Sequence, residues 1–133
     1  MIDVDGVKLG LAICEDVWHS EFLEKTRAAG AQIIVAANAS PFESGKIAVR
    51  ERTVLPFVKS HQVPILYVNT IGGQDELVFD GSSFATDLGG RVFRRLKCFE
   101  EDLQVVAVQD LVKVQPAVDL PRGEQARLQS LYE

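Results

Sequence analysis

Apolar and polar positions fall into short blocks of two different periods. "VDGVKLGLAIC" sets Asp5-Gly6, a tight-turn pair, between β-prone stretches. It predicts a hairpin whose second arm, Leu9 to Ile13, ends at Cys14. "SEFLEKTRAAGA" switches to helical spacing, with Ser20 as predicted N-cap and Gly30 as predicted stop. "AQIIVAANA" is apolar on both faces, the pattern of a central strand covered by a layer on each side. From Ser40 to Gln62 the spacing is again helical, carried by Ile47, Val54 and Val58, and Pro56 predicts a kink or a change of direction. "VPILYVN" predicts another buried strand.

The second half reads differently. "TIGGQDELVFDGSS" is Gly-rich and acidic and predicts a long loop around one short strand. "SFATDLGGRVFRRL" puts Gly89-Gly90 between β-prone runs, a hairpin signature, and "LQVVAVQDL" predicts a last strand. The remainder, with Pro116 and Pro121, reads as a polar tail that begins a helix. Strands alternating with helices, followed by hairpins, predict a layered α/β fold with a mixed sheet.

Composition acts mainly by exclusion. The 133 residues fit one domain, and 47% hydrophobic with 25% charged residues is the balance of a globular chain. A net charge of -5 argues against a nucleic-acid surface built on phosphate contacts. No apolar run is long enough to span a bilayer, and "MIDVDGVKLG" lacks the basic and apolar regions of a signal peptide. The expectation is a cytoplasmic protein with no membrane contact. Cys14 and Cys98 lie far apart, and His19 and His61 are scattered singly, so no metal set is predicted and both thiols are expected to be reduced.

Cys14 is the candidate for chemistry. A thiol at the end of a buried strand, entering a turn, can be presented at the sheet edge with backbone N–H groups behind it. A following helix favours a thiolate, whereas Glu15 and Asp16 would oppose one if they faced it. The competing reading is a buried cysteine acting as a small apolar residue. A nucleophile also needs a base. His19 starts a helix, and His61 ends one, where the dipole favours a cation without any catalytic reason. Taken alone, these residues offer a nucleophile without a convincing base.

"LGLAICEDVW", "AANASPFESGK" and "NTIGGQDELVFDGSSF", in this order, resemble the amidase domain of glutamine-dependent NAD synthetases, a branch of the nitrilase (carbon–nitrogen hydrolase) superfamily. The resemblance implies an α-β-β-α sandwich, of which this chain would be part, with a mixed sheet and β-hairpins. It implies a catalytic glutamate, lysine and cysteine, with Cys14 matching the cysteine that attacks the side-chain amide of glutamine. Ammonia would then serve the amidation of deaminido-NAD in a synthetase domain. The implied glutamate and lysine precede the cysteine, and neither Lys8 nor Glu15 suits those parts; Lys46 matches a different lysine of the "NASPF" stretch. The chain therefore reads as the C-terminal half of an amidase domain, residues 1–112, followed by a linker, 113–133.

The expected partners are L-glutamine, an N-terminal amidase half, a synthetase domain and further copies of the complete protein. ATP, Mg and deaminido-NAD belong to the synthetase domain, with no cofactor in this chain. Trp18 either packs in the core or lines the pocket; Ser40 and Phe42 follow a buried strand that ends at the same sheet edge as Cys14, and together with Glu15 these are the substrate-site candidates. Arg50 either binds a substrate carboxylate or pairs with Glu43 or Glu51 on a helix face. Gln74, Asp75 and Glu76 either form a solvated loop or border an ammonia route. Asp80-Gly81 is expected to serve a turn, and Cys98 to be structural. The isolated chain is expected to be poorly active. Two alternatives stand beside this reading: a non-catalytic remnant that works by binding, and another amidase of the superfamily.

Overall fold

The computed structural model describes residues 1–117. Asp5 and Gly6 both adopt positive φ, 49° and 83°. That is the twist a two-residue turn needs to fold β1 (Ile2–Val4) back on β2 (Val7–Ile13) as an antiparallel pair. The chain then crosses through α1 (Ser20–Ala28) to β3 (Ile33–Asn38), parallel to β2. It crosses again through α2 (Lys46–His61) to β4 (Ile65–Asn69), parallel to β3. After a separate hairpin of β5 (Ile71–Gln74) and β6 (Leu77–Asp80), it returns as β7 (Phe84–Thr86) and β8 (Val92–Arg95), both antiparallel. The main sheet has six strands in the order β1-β2-β3-β4-β7-β8. A short α3 (Val108–Leu111) follows.

Strand alternation assigns the two faces. Ala12, Ile34, Ala36, Ile65 and Tyr67 turn towards α1 and α2, where they meet Leu23, Val54, Phe57 and Val58. Each aliphatic side chain buried this way contributes about 1.5–3 kcal/mol. Ile33, Ala85, Phe93 and Leu111 form a smaller cluster on the opposite face, with Leu9, Leu66 and Val106 packed against it. Towards the other strand ends this second face is open among the described residues: Leu11, Ile13 and Val68 are exposed. The expectation of a central strand covered on both sides therefore holds for Ile33 and Ile34 but not for Ala37, which is exposed.

Several local expectations are corrected. Ser20 is the first helical residue, and the N-cap is His19. α2 runs on through Pro56. Pro56 and Arg52, whose carbonyl lies four residues back, are both exposed, so the unpaired carbonyl can turn to water. The "GGQDELVFD" loop is a regular hairpin turning at Asp75, whose φ is 53°. "LQVVAVQDL" forms no strand: Leu103 and Val105 stay 92% and 93% exposed, and Leu111 enters the core from α3. Of the segment read as a linker, Gln115 N–H donates to Asp87 at 2.7 Å, and residues 118–133, including the predicted helix start, lie outside the described residues.

Gly10 shows how close the helix layer lies. A Cβ there would collide with the γ-methyl of Thr26 on α1 and approach Ala31 to 3.1 Å. Gly10→Ala is expected to destabilise the fold by about 1–3 kcal/mol through overpacking. Urea unfolding measures this, and an unchanged midpoint would contradict the tight β2–α1 contact.

Candidate active site

The carboxyl ends of the parallel strands β2, β3 and β4 lie side by side, the usual place for a site in such sheets. Cys14 follows β2 directly and opens a 3₁₀ turn, Cys14–Trp18. Its φ is 50°, the left-handed region that a residue with a side chain occupies at a cost of order 1–3 kcal/mol. The turn is locked by Asp16, whose carboxylate accepts the Ile13 N–H at 2.9 Å. Asp16 is thereby occupied with the backbone, and Glu15 is exposed.

Ala12 pairs with Ala36, and Ala36 with Tyr67, so alternation carries Cys14, Asn38 and Tyr67 onto the helix-bearing face. They line a cavity of about 360 Å³ with Glu15, Trp18, His19, Ala39, Ser40, Pro41 and Lys46. Trp18 is 37% exposed, and Lys46 Nζ sits 5.9 Å from its ring centroid, within cation–π range. Lys46 also meets Glu43 at 3.2 Å. Burial pushes the Tyr67 hydroxyl above its ordinary value, against the opposing pull of the Arg50 charge and of Ser40.

The Ser40–Pro41 wall is held from behind. Arg50 Nη1 and Nη2 donate to the two Asp80 carboxylate oxygens at 2.9 and 2.8 Å. Nε donates to Ser40 Oγ at 3.1 Å, and Nη2 also donates to the Ser40 and Pro41 carbonyls at 2.8 and 3.1 Å. Asn69 completes the clamp: Oδ1 accepts the Ser40 N–H at 2.9 Å, and Nδ2 donates to the Ser40 and Gly81 carbonyls at 3.2 and 3.0 Å.

Of the sequence candidates, Cys14, Glu15, Trp18 and Ser40 come together at the cavity. Phe42 does not line it; the ring packs edge-on against Phe99 at 5.2 Å, and the N–H donates to the Val78 carbonyl. Arg50 is corrected on both readings. Its side chain is 0% exposed and bound to Asp80, while Glu51 pairs with Arg95 and Glu43 with Lys46. Asp80 is therefore more than a turn residue. Gln74, Asp75 and Glu76 form the exposed tip of the β5–β6 hairpin, away from the cavity lining. Sequence reasoning missed Asn38, Lys46 and Tyr67 as lining residues, although strand parity from Cys14 pointed to the first and third. Among the described residues no group of three or more His, Cys, Asp or Glu side chains could hold a metal ion, and no helix is long and apolar enough to cross a membrane.

The site is a thiol at a strained strand end, beside the parallel strand termini of a mixed α/β layer structure. The carbon-nitrogen hydrolase family model matches residues 1–117, and the chain belongs to that family of enzymes. Its fold is a nitrilase-like mixed α/β sandwich with a six-stranded sheet and a smaller antiparallel one. It is 40% identical over 109 residues to a glutamine-dependent NAD(+) synthetase of Aquifex aeolicus, covering 81% of this chain and 19% of that protein. Identity to the Xanthomonas campestris protein of the same name is 42% over 106 residues, 80% of this chain and 19% of that one. This chain thus spans about a fifth of the length of these relatives.

Among solved structures, the glutamine-dependent NAD+ synthetase of Acinetobacter baumannii superposes with a TM-score of 0.76 at 31% identity, over 89% of this chain and 24% of that one. An amidase from Nesterenkonia sp. AN1, with the acetamide moiety of fluoroacetamide added covalently at its active-site cysteine, gives 0.63 at 25% identity, over 72% and 36%. These matches correct one sequence expectation. An amidase half was placed outside the chain as a partner; the family match over residues 1–117 means that this chain itself carries the carbon–nitrogen hydrolase domain.

Two outcomes follow from the geometry. Asp80→Ala strands the Arg50 guanidinium in the interior and is expected to cost about 3–5 kcal/mol, read as a fall in the denaturant midpoint. The Tyr67 proton is held more tightly folded than unfolded, where tyrosine has its ordinary value of 10.0. Stability from this group is thus full below about pH 10 and lost as pH rises towards the folded value. Tyr67→Phe is expected to flatten that alkaline limb in melts taken between pH 9 and about pH 11.

Proposed function

We propose that this chain carries the nucleophile of a glutamine-hydrolysing amidase, and that Cys14 is that nucleophile. The observation that carries the reading is the backbone of Cys14, strained at φ 50° where β2 ends against a cavity, in a chain of the carbon–nitrogen hydrolase family. In the proposed reaction the sulfur bonds to the carbonyl carbon of the side-chain amide. The C–N bond breaks, the nitrogen leaves protonated as ammonia, and water cleaves the thioester to glutamate and free thiol. Glu15, Trp18 and Ser40 border the bound substrate. Lys46, the cation of the cavity, suits the substrate α-carboxylate. The names of the relatives support glutamine as the amide donor and NAD synthesis as the use of the ammonia, by amidation of deaminido-NAD with ATP and Mg in their synthetase portion.

Turnover by the 133-residue chain alone is proposed to be slow. Hydrolysis needs a base and an oxyanion donor held against the sulfur; here Glu15 and His19 are exposed, and Lys46, which can exchange the exposed Glu43 for the substrate α-carboxylate, is taken by that role. Thiol reactivity is then the direct readout. The glutamine-shaped diazoketone diazo-oxo-norleucine is expected to alkylate Cys14 and spare Cys98, as mapped by peptide mass spectrometry. Cys14→Ala should take no label there. Preferential labelling of Cys98 would falsify the assignment.

A second reading, an amidase for small aliphatic amides, is favoured by the acetamide adduct of the Nesterenkonia enzyme. It predicts hydrolysis of acetamide in preference to glutamine. The higher identity to the synthetases and the position of Lys46 favour glutamine.

A further inference from the structure

Two of the residues that line the Cys14 cavity each carry a buried polar atom with no hydrogen-bond partner among the described residues: Asn38 Oδ1 and Tyr67 Oη. Both belong to buried residues, 9% and 1% exposed. Buried polar atoms are paired in almost every native structure, so two orphans on residues lining one cavity call for an explanation. Neither atom helps the fold. The Tyr67 ring is fixed by stacking on Phe84, centroids 4.8 Å apart and 4° from parallel, a contact phenylalanine would make equally well. Asn38 does its structural work through Nδ2, which donates to the Ala36 and Val68 carbonyls at 2.9 and 3.1 Å. Those two bonds also fix which way the amide faces, leaving Oδ1 as a pure acceptor.

We propose that Asn38 Oδ1 and Tyr67 Oη recognise a primary carboxamide at Cys14, the acceptor taking its N–H and the phenol donating to its oxygen. The proposal rests on the reading of Cys14 as the nucleophile of an amidase. Tyr67 is protonated at neutral pH, as a tyrosine with the ordinary value of 10.0 would be, and burial only raises that value. Ser40 lies beside the Tyr67 hydroxyl and opposes the rise, while its Oγ accepts the Arg50 Nε–H at 3.1 Å. Both atoms are sealed from water in the free protein, so the ligand reaches them as the cavity wall gives slightly, and the bonds then form without water competing. The pair also discriminates. A carboxylate in the same place has no N–H to offer and sets its charge against Asn38 Oδ1, so the acid produced by hydrolysis binds less well than the amide consumed. Each unmatched contact leaves a buried polar atom unpaired, the arrangement that gives a site its strongest selectivity.

The test is protection of Cys14 in the full chain against methyl methanethiosulfonate, a small thiol reagent without an amide, with L-glutamine or L-glutamate as protectant. In the wild type, glutamine is expected to protect at concentrations at least about tenfold lower than glutamate. Tyr67→Phe should erase about tenfold of that preference, while its thermal midpoint stays level or rises, because an unpartnered hydroxyl has been removed. A merely structural tyrosine would move the midpoint and leave the ratio alone. Should Tyr67→Phe not fold, the wild type still decides the matter: the N,N-dimethyl amide of glutamine has no N–H for Asn38 and should protect no better than glutamate. A reactive Cys14 whose protection is blind to amide against acid, or to dimethylation, overturns this proposal alone. A Cys14 that reacts no faster than Cys98 removes the nucleophile reading and this inference with it.

Discussion

One guanidinium, buried between α2 and the end of β6, sets the shape of the site. Arg50 cannot be left uncompensated in the interior, because a buried charge without partners costs far more than the fold can supply. Asp80 neutralises it in bidentate geometry, and Ser40 and Pro41 take the remaining donors. A buried ion pair alone is weak evidence for stability, since apolar residues of the same volume often serve as well. Here the exchange would not be neutral. Removing the guanidinium also strips the Pro41 carbonyl of its donor and leaves the Ser40 carbonyl to Asn69 alone. The wall opposite Cys14 is thus part of the charge compensation, and its position follows from electrostatics rather than from loop sequence.

Beside that wall, the cavity keeps its strain and its unmet polarity. Cys14 sits at a backbone angle its side chain disfavours, and Asn38 and Tyr67 each carry an atom without a partner. These three local costs fall on residues that line one cavity. Strain and unpaired polarity persist only where the surroundings over-determine them. The parallel strands β2, β3 and β4, joined by regular register, supply that determination for all three residues at once.

How much of this was legible depended on range. The β1–β2 turn, the strand into Cys14 and the β7–β8 hairpin were readable because turn chemistry and period act over a few residues. The β5–β6 hairpin was not, since Gly72 and Gly73 lower strand propensity and hide the alternation. The Arg50–Asp80 pair spans 30 positions, and no local pattern names the partner. A signal for Arg50 did exist: it stands three residues after Ile47 and four before Val54, on the apolar stripe of α2, where an exposed arginine has no place. Reading that stripe strictly would have buried the residue and sent the search for an internal acid, rather than for a substrate carboxylate. Asn38 and Tyr67 lie in largely apolar strands, whose pattern signals core and nothing more. Parity placed them on the face of Cys14, but their orphaned atoms exist only in three dimensions.

The tip of the β5–β6 hairpin, Gln74–Glu76, drew attention by composition, yet the connection to the cavity runs through its base and side. Asp80 closes β6 and holds Arg50, and the Val78 carbonyl accepts the N–H of Phe42, one residue beyond the cavity wall. A displacement of β6 must therefore move Asp80, Arg50 and the Ser40–Pro41 wall together, or else break a buried ion pair. The exposed tip is tied to neither, and substitutions there can change its charge without reaching the thiol. Residues that look chemical in sequence thus lie at the free end, and the residue that couples hairpin to site is the aspartate that looked like a turn.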